Sequence, residues 1–129
     1  ALEPLAASLA AMRASDPQLA RGRALVEHGR ATVEMSDAKA SLLADLAFHE
    51  WIYDISGNPL LVESMHANWL HLRRAMGEVL RHPELVRVVW DEHAAIVEAL
   101  QARNADLAAE LIKAHVTTAH ERVGALLKR

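Results

Sequence analysis

The chain has 129 residues, which is enough for one domain with a buried core and too few for two ordinary domains. Hydrophobic residues make up 52 %, charged residues 24 %, and the net charge is −3, so no basic surface for nucleic acid or for an anionic membrane is indicated. The lack of cysteine excludes disulfides and thiolate metal sites and is compatible with a reducing, cytoplasmic setting, and no apolar run reaches the roughly 18 residues of a membrane span.

Helix-starting and helix-ending residues divide the chain into six segments. Ser15 or Asp16, then Ser36 or Asp37, and finally Asn104 are side chains that can cap the helices that follow them. Prolines at 17, 59 and 83 suit first helical turns, and Gly57 suits a left-handed helix end. In chain order, the helices are predicted at about 1–13, 17–35, 38–55, 59–81, 83–103 and 105–129.

Short connections between long helices predict the fold. Two to four residues join each helix to the next, a spacing that is typical of antiparallel neighbours. No strand pattern or linker interrupts this arrangement. The sequence therefore predicts an all-α fold, a single antiparallel bundle of about six helices around a central cavity for a ligand or metal.

Polar groups interrupt the apolar faces of three of these helices. Asp45 and His49 lie one turn apart on the apolar face of the third helix, His93 lies on that of the fifth, and His115 on that of the sixth. An unpaired buried carboxylate costs several kcal/mol or is neutralised. Four such groups in one small core indicate a common partner, although each histidine alone is more often a hydrogen-bonded core residue.

The spacing about Asn104 places two of these histidines at the same depth. His93 lies eleven residues before Asn104 and His115 eleven residues after it, so each is about 16 Å from the turn at 1.5 Å per residue. Three imidazoles and one carboxylate suit Zn²⁺, and also Ni²⁺, Mn²⁺ or Fe²⁺. Asp45, His49, His93 and His115 are therefore the predicted metal ligands, and no catalytic residue is predicted.

Three residues of the fourth helix are the candidate contacts for an organic ligand. Reflection through the turn at Gly57 places His66 opposite His49, beside the apolar face of its helix. One of Arg73 and Arg74 could pair with an anion there, and Arg73 is favoured because it lies on the same side as His66. Asn68 is the third candidate for binding the effector.

The motifs that carry these residues resemble a known family. The sequence DLAFH at 45–49 is followed by SGNPLL at 56–61, EHAAIVEAL at 92–100 and a capped helix with Ala108 and His115, and the chain opens with LEPLAASLAA at 2–11. Together they resemble the FadR-type C-terminal effector-binding (FCD) domain of GntR-family bacterial transcriptional regulators. The resemblance spans nearly all of 1–129, while the winged helix-turn-helix that precedes this domain in the family is absent from this chain.

The resemblance carries functional expectations. It implies that Asp45, His49, His93 and His115 bind a divalent metal inside the bundle. It also implies that a small carboxylic, sugar or hydroxy acid binds beside the metal and controls operator binding by an intact homodimer, through the N-terminal domain.

Two other functions fit the same residues. An open Asp/His₃ site can activate water in a small metal-dependent enzyme. However, Glu50 and Glu92, the acids next to metal ligands, are expected to point about 100° away from them. The third possibility is a helical interaction domain with hydrogen-bonded core histidines.

Overall fold

The structure, a computed structural model, describes residues 2–127, and within this range the chain forms six α-helices and no strand. Ala1, Lys128 and Arg129, which the sequence assigns to the first and last helices, lie outside the described residues. The all-α antiparallel bundle is confirmed. The helices are α1 (Glu3–Arg13), α2 (Asp16–Glu34), α3 (Ala38–Ile55), α4 (Pro59–Val79), α5 (Pro83–Gln101) and α6 (Ala105–Leu127).

Side-chain caps fix where the helices begin. Ser15 and Gln18 form a reciprocal capping box at the start of α2, in which each side chain accepts a hydrogen bond from the other's backbone N–H. The side chains of Asp37, Asn58 and Asn104 accept backbone N–H groups of α3, α4 and α6. Gly57, with a φ of +73°, takes the predicted left-handed conformation after α3.

Two glycines allow α2 to approach its neighbours closely. A Cβ on Gly29 would lie 2.1 Å from a ring carbon of Trp90 on α5, and one on Gly22 would lie 2.7 Å from the ring of Trp51 on α3. Because these distances are far below van der Waals contact, α2 can pack against α3 and α5 only where no side chain intervenes. The two indole rings thereby fill the space that the glycines leave.

The remaining helix contacts enclose a cluster of buried ionisable side chains. Helix α1 packs along α6 and against α3, α5 packs against α6, and α4 lies on the outside against α3 and α6. Where α3, α5 and α6 meet, the core contains four ionisable residues, Asp45, His49, His93 and His115, each at most 4 % exposed. In the part of the chain that the structure describes, no helix is long and apolar enough to cross a membrane.

Candidate metal centre

The centre begins with Asp45 and His49 on α3. Their i, i+4 spacing puts both side chains on the buried face of the helix. The Oδ1 atom of Asp45 lies 3.7 Å from Nε2 of His49 and 2.7 Å from Nε2 of His93, which donates a hydrogen bond to it. One carboxylate oxygen thus faces imidazoles from two helices.

The α5–α6 hairpin brings the other two histidines to the same place. One ring nitrogen from each of His49, His93 and His115 lies within 4.8 Å of the other two. The imidazole centroids of His93 and His115 are 4.6 Å apart, so the equal spacing about Asn104 does put these residues at matching depth. Phe48 stacks on His93 at 4.0 Å between centroids and limits the orientation of that ring.

Two further carboxylates accept hydrogen bonds from the Nδ1 atoms of His49 and His115. Glu3, the first residue of α1, accepts a hydrogen bond from Nδ1 of His49 at 2.5 Å. Glu92 accepts one from Nδ1 of His115 at 2.7 Å and also binds the guanidinium of Arg122. Bonding at Nδ1 leaves Nε2 as the second ring nitrogen of each, the arrangement in which a carboxylate orients a metal-binding histidine.

The charges around the centre shift the pKa values of its groups. Burial alone would raise the pKa of Asp45, but His49 and His93 outweigh it and hold this pKa well below its ordinary value. Burial would lower the pKa of His49, yet Glu3 and Asp45 raise it well above the ordinary value. For His93, burial dominates over its hydrogen bond to Asp45 and lowers the pKa to about 4.

The donor atoms fit a divalent cation. Asp45 is fully buried, and its Oδ2 has no hydrogen-bond partner among the described residues. Burying an ionised carboxylate is costly unless hydrogen bonds or positive charge offset its loss of water, and here one oxygen has no hydrogen bond. A cation bound on the side that faces the imidazoles would supply positive charge. Asp45, His49, His93 and His115 could therefore hold a metal ion with three nitrogens and at least one oxygen.

A cavity of about 480 Å³ adjoins His49, which is within the range of small-molecule sites. Asn68, one of the three candidate effector contacts, borders this cavity, and its side chain donates to the carbonyl of Ser64. The exposed side chains of His66 and Arg73 instead line two other surface grooves. Of the three candidate effector contacts, the structure therefore places only Asn68 at the cavity that adjoins His49. The cavity is lined by Leu2, Glu3, His49, Tyr53, Ser64, Met65, Asn68, His71, Val116 and His120.

Comparisons with known proteins agree with this architecture. A family model described as "FCD domain" matches residues 1–118. The chain belongs to the FCD domain family. Among solved structures, the FCD domain is similar to E. coli McbR/YncC, with a TM-score of 0.84 and 19 % sequence identity over 98 % of this chain.

At 19 % identity the likeness to McbR/YncC is one of fold, and the FCD domain spans 63 % of that chain's length. A search of curated proteins found no match.

Glu3 and Glu92 are the residues of the candidate centre that the sequence did not predict. Glu92 does point away from His93, as expected, but this directs it at His115 on α6. Glu92 lies twelve residues before Asn104 and His115 eleven residues after it, so their nearly equal depth in the hairpin was the available signal. An acid in a first helical turn is common because it complements the helix dipole, so nothing in the sequence distinguished Glu3.

Proposed function

We propose that this FCD domain is the ligand-sensing part of a GntR-type transcriptional regulator. In this proposal Asp45, His49, His93 and His115 bind one divalent metal ion, and a small organic acid binds in the adjoining cavity. The observation that carries it is the convergence of three buried imidazoles and a buried carboxylate beside a cavity of about 480 Å³.

The donor set limits the choice of ion. Three imidazole nitrogens and a carboxylate oxygen are suited to Zn²⁺, which we expect as the native ion, while Ni²⁺, Mn²⁺ and Fe²⁺ accept the same donors. The bound ion would supply positive charge and at least one coordination position for the carboxylate of an effector. Glu3 and Glu92 would keep the two outer imidazoles in the orientation that binding requires.

The proposed output is a change in DNA binding by the whole regulator. A winged helix-turn-helix domain outside these 129 residues would contact the operator in the bacterial cytoplasm, and two FCD domains would pair in a homodimer. An effector that binds one arrangement of the helices more tightly shifts the population towards that arrangement, which changes how the dimer holds its DNA-binding domains.

The same site is less suited to catalysis. A hydrolytic metal site needs a base that can accept a proton from water. The two carboxylates next to the ring nitrogens, Glu3 and Glu92, are each engaged with an imidazole, and Glu92 also with Arg122. We therefore favour sensing over a small metal-dependent enzyme.

A titration with Zn²⁺, Ni²⁺ and Mn²⁺ tests the proposal, followed by a thermal-shift screen of organic acids on the metal-loaded protein. Ligand at 100 times its Kd stabilises by about 2.7 kcal/mol, which raises the melting temperature by several degrees for a domain of this size. His93→Ala should abolish the metal response, while His28→Ala, at an exposed position on α2, should retain it. If neither metal nor acid changes the melting temperature, the proposed function is wrong.

A further inference from the structure

Arg122 on α6 makes the most enclosed arginine ion pair in the described part of the chain. Its Nη1 and Nη2 atoms donate to Oε1 and Oε2 of Glu92 at 3.2 and 2.9 Å, and its side chain is only 16 % exposed. The other arginines that form ion pairs among the described residues have side chains 40 to 72 % exposed. Exposed pairs of that kind contribute little, whereas a two-point pair that water reaches poorly fixes the geometry of both partners.

Glu92 connects this arginine to the candidate metal centre. Its Oε1 atom also accepts the hydrogen bond from Nδ1 of His115 at 2.7 Å. His115 and Arg122 are seven positions apart on α6, which is two helical turns, so both lie on the same face of the helix about 10 Å apart along its axis. One carboxylate on α5 therefore binds α6 at two points, one at a proposed metal ligand and one nearer the end of the helix.

The part of α6 beyond His115 is packed incompletely on its other side. Val116, Ala119, His120 and Val123 line a small cavity of about 80 Å³ between α6 and residues of α1 and α4, and two of them also border the larger cavity beside His49. Cavities remove van der Waals contacts from the residues that line them. The contact of Arg122 with α5 is therefore an important constraint on the position of these turns.

We infer that Arg122 is a positioning residue for the metal centre, and that through Glu92 and His115 it couples occupation of the centre to the stability of the last turns of α6. The inference rests on the proposed function, since it requires an ion bound by His115. Arg122 holds the carboxylate of Glu92 where it orients His115, and an ion that fixes His115 stabilises the same contacts. Because such coupling is reciprocal, Arg122 raises the affinity for the ion by the factor by which the ion stabilises the contact of Arg122.

The affinity for Zn²⁺ measures the first side of this coupling. Arg122→Gln should raise the Kd of Zn²⁺ by about fivefold, the lower end of typical couplings, because Arg122 acts through Glu92 rather than on the ion. Arg30→Gln is the matched control, because Arg30 pairs on the exposed surface with Asp91, the residue before Glu92, and the Kd should not change. In a Glu92→Ala background, Arg122→Gln should cause no further loss of affinity.

Hydrogen–deuterium exchange measures the other side. In the wild-type protein, saturating Zn²⁺ should slow exchange at the amides of residues 119–126 by about fivefold relative to the metal-free protein, and this difference should be lost in Arg122→Gln. An arginine that only tied α6 to α5 would slow exchange equally with and without the ion. The wild-type comparison needs no substitution, so it tests the coupling even if Arg122→Gln fails to fold.

The outcomes separate the inference from the proposed function. Zn²⁺ that binds the wild-type protein without slowing exchange at 119–126, or that slows it equally in Arg122→Gln, overturns the inference and leaves the proposed function standing. A Kd that Arg122→Gln leaves unchanged overturns it as well, and so does an equal loss of affinity in the wild-type and Glu92→Ala backgrounds. A wild-type protein that does not bind Zn²⁺ overturns the proposed function together with the inference.

Discussion

Replacing Glu3 with Gln should weaken metal binding by about tenfold, although Glu3 is not itself a proposed ligand. The carboxylate accepts the Nδ1 proton of His49, and the two side chains are only 16 % and 5 % exposed, so water screens the contact poorly. A carboxylate that orients a metal-binding histidine typically contributes about 10–100-fold to metal affinity. We expect the lower end of this range, about tenfold, because the amide oxygen of Gln can still accept the Nδ1 proton.

A competition titration with a chromophoric Zn²⁺ chelator would measure this change, with Glu27→Gln as the matched control. Because Glu3 acts through His49, adding Glu3→Gln to a His49→Ala background should cause no further loss of affinity. A Kd within twofold of the wild-type value in Glu3→Gln would refute the reasoning. An equal loss in both backgrounds would show that Glu3 acts by another route.

Three further outcomes follow from the packing and the charges. Gly29→Ala forces a methyl group against the fully buried ring of Trp90 and should lower the free energy of unfolding by about 3 kcal/mol in urea denaturation. Gly77→Ala is the control: because the space around its Cβ is open, it should raise the free energy of unfolding by about 0.5–1 kcal/mol. Ser15→Ala removes the capping box of α2 and should cost about 1 kcal/mol in the same assay. Metal affinity, measured by chelator competition, should fall as the pH is lowered below the raised pKa of His49, because the proton on this imidazole then competes with the ion. His93, with a pKa of about 4, should stay neutral over this range, and a pH-independent Kd would contradict the prediction.

The helices and the matching depth of His93 and His115 could be predicted from local rules. Capping side chains, prolines and Gly57 act within a few residues of where they stand, so they define helix ends without knowledge of the fold. The position of His93 relative to His115 follows from one short turn, since equal numbers of residues on both sides of Asn104 give equal depth.

The parts that could not be predicted depend on how distant helices pack. The contact of Glu3 with His49 requires α1 to lie beside α3 and α6, which no periodicity in α1 reveals. His66 and Arg73 have the residue types of ligand contacts, but the rotation of α4 about its own axis turns them to other grooves. A residue beside an apolar face can point to either side of it, and only the packing partner decides which.

The metal content of the protein tests the account most directly. Protein purified without a histidine tag, and saturated with Zn²⁺ before exhaustive buffer exchange, should retain about one ion per chain by mass spectrometric elemental analysis. His93→Ala and Asp45→Asn, checked for helical content by circular dichroism, should retain almost none. A wild-type chain that retains no more metal than these variants would contradict the account.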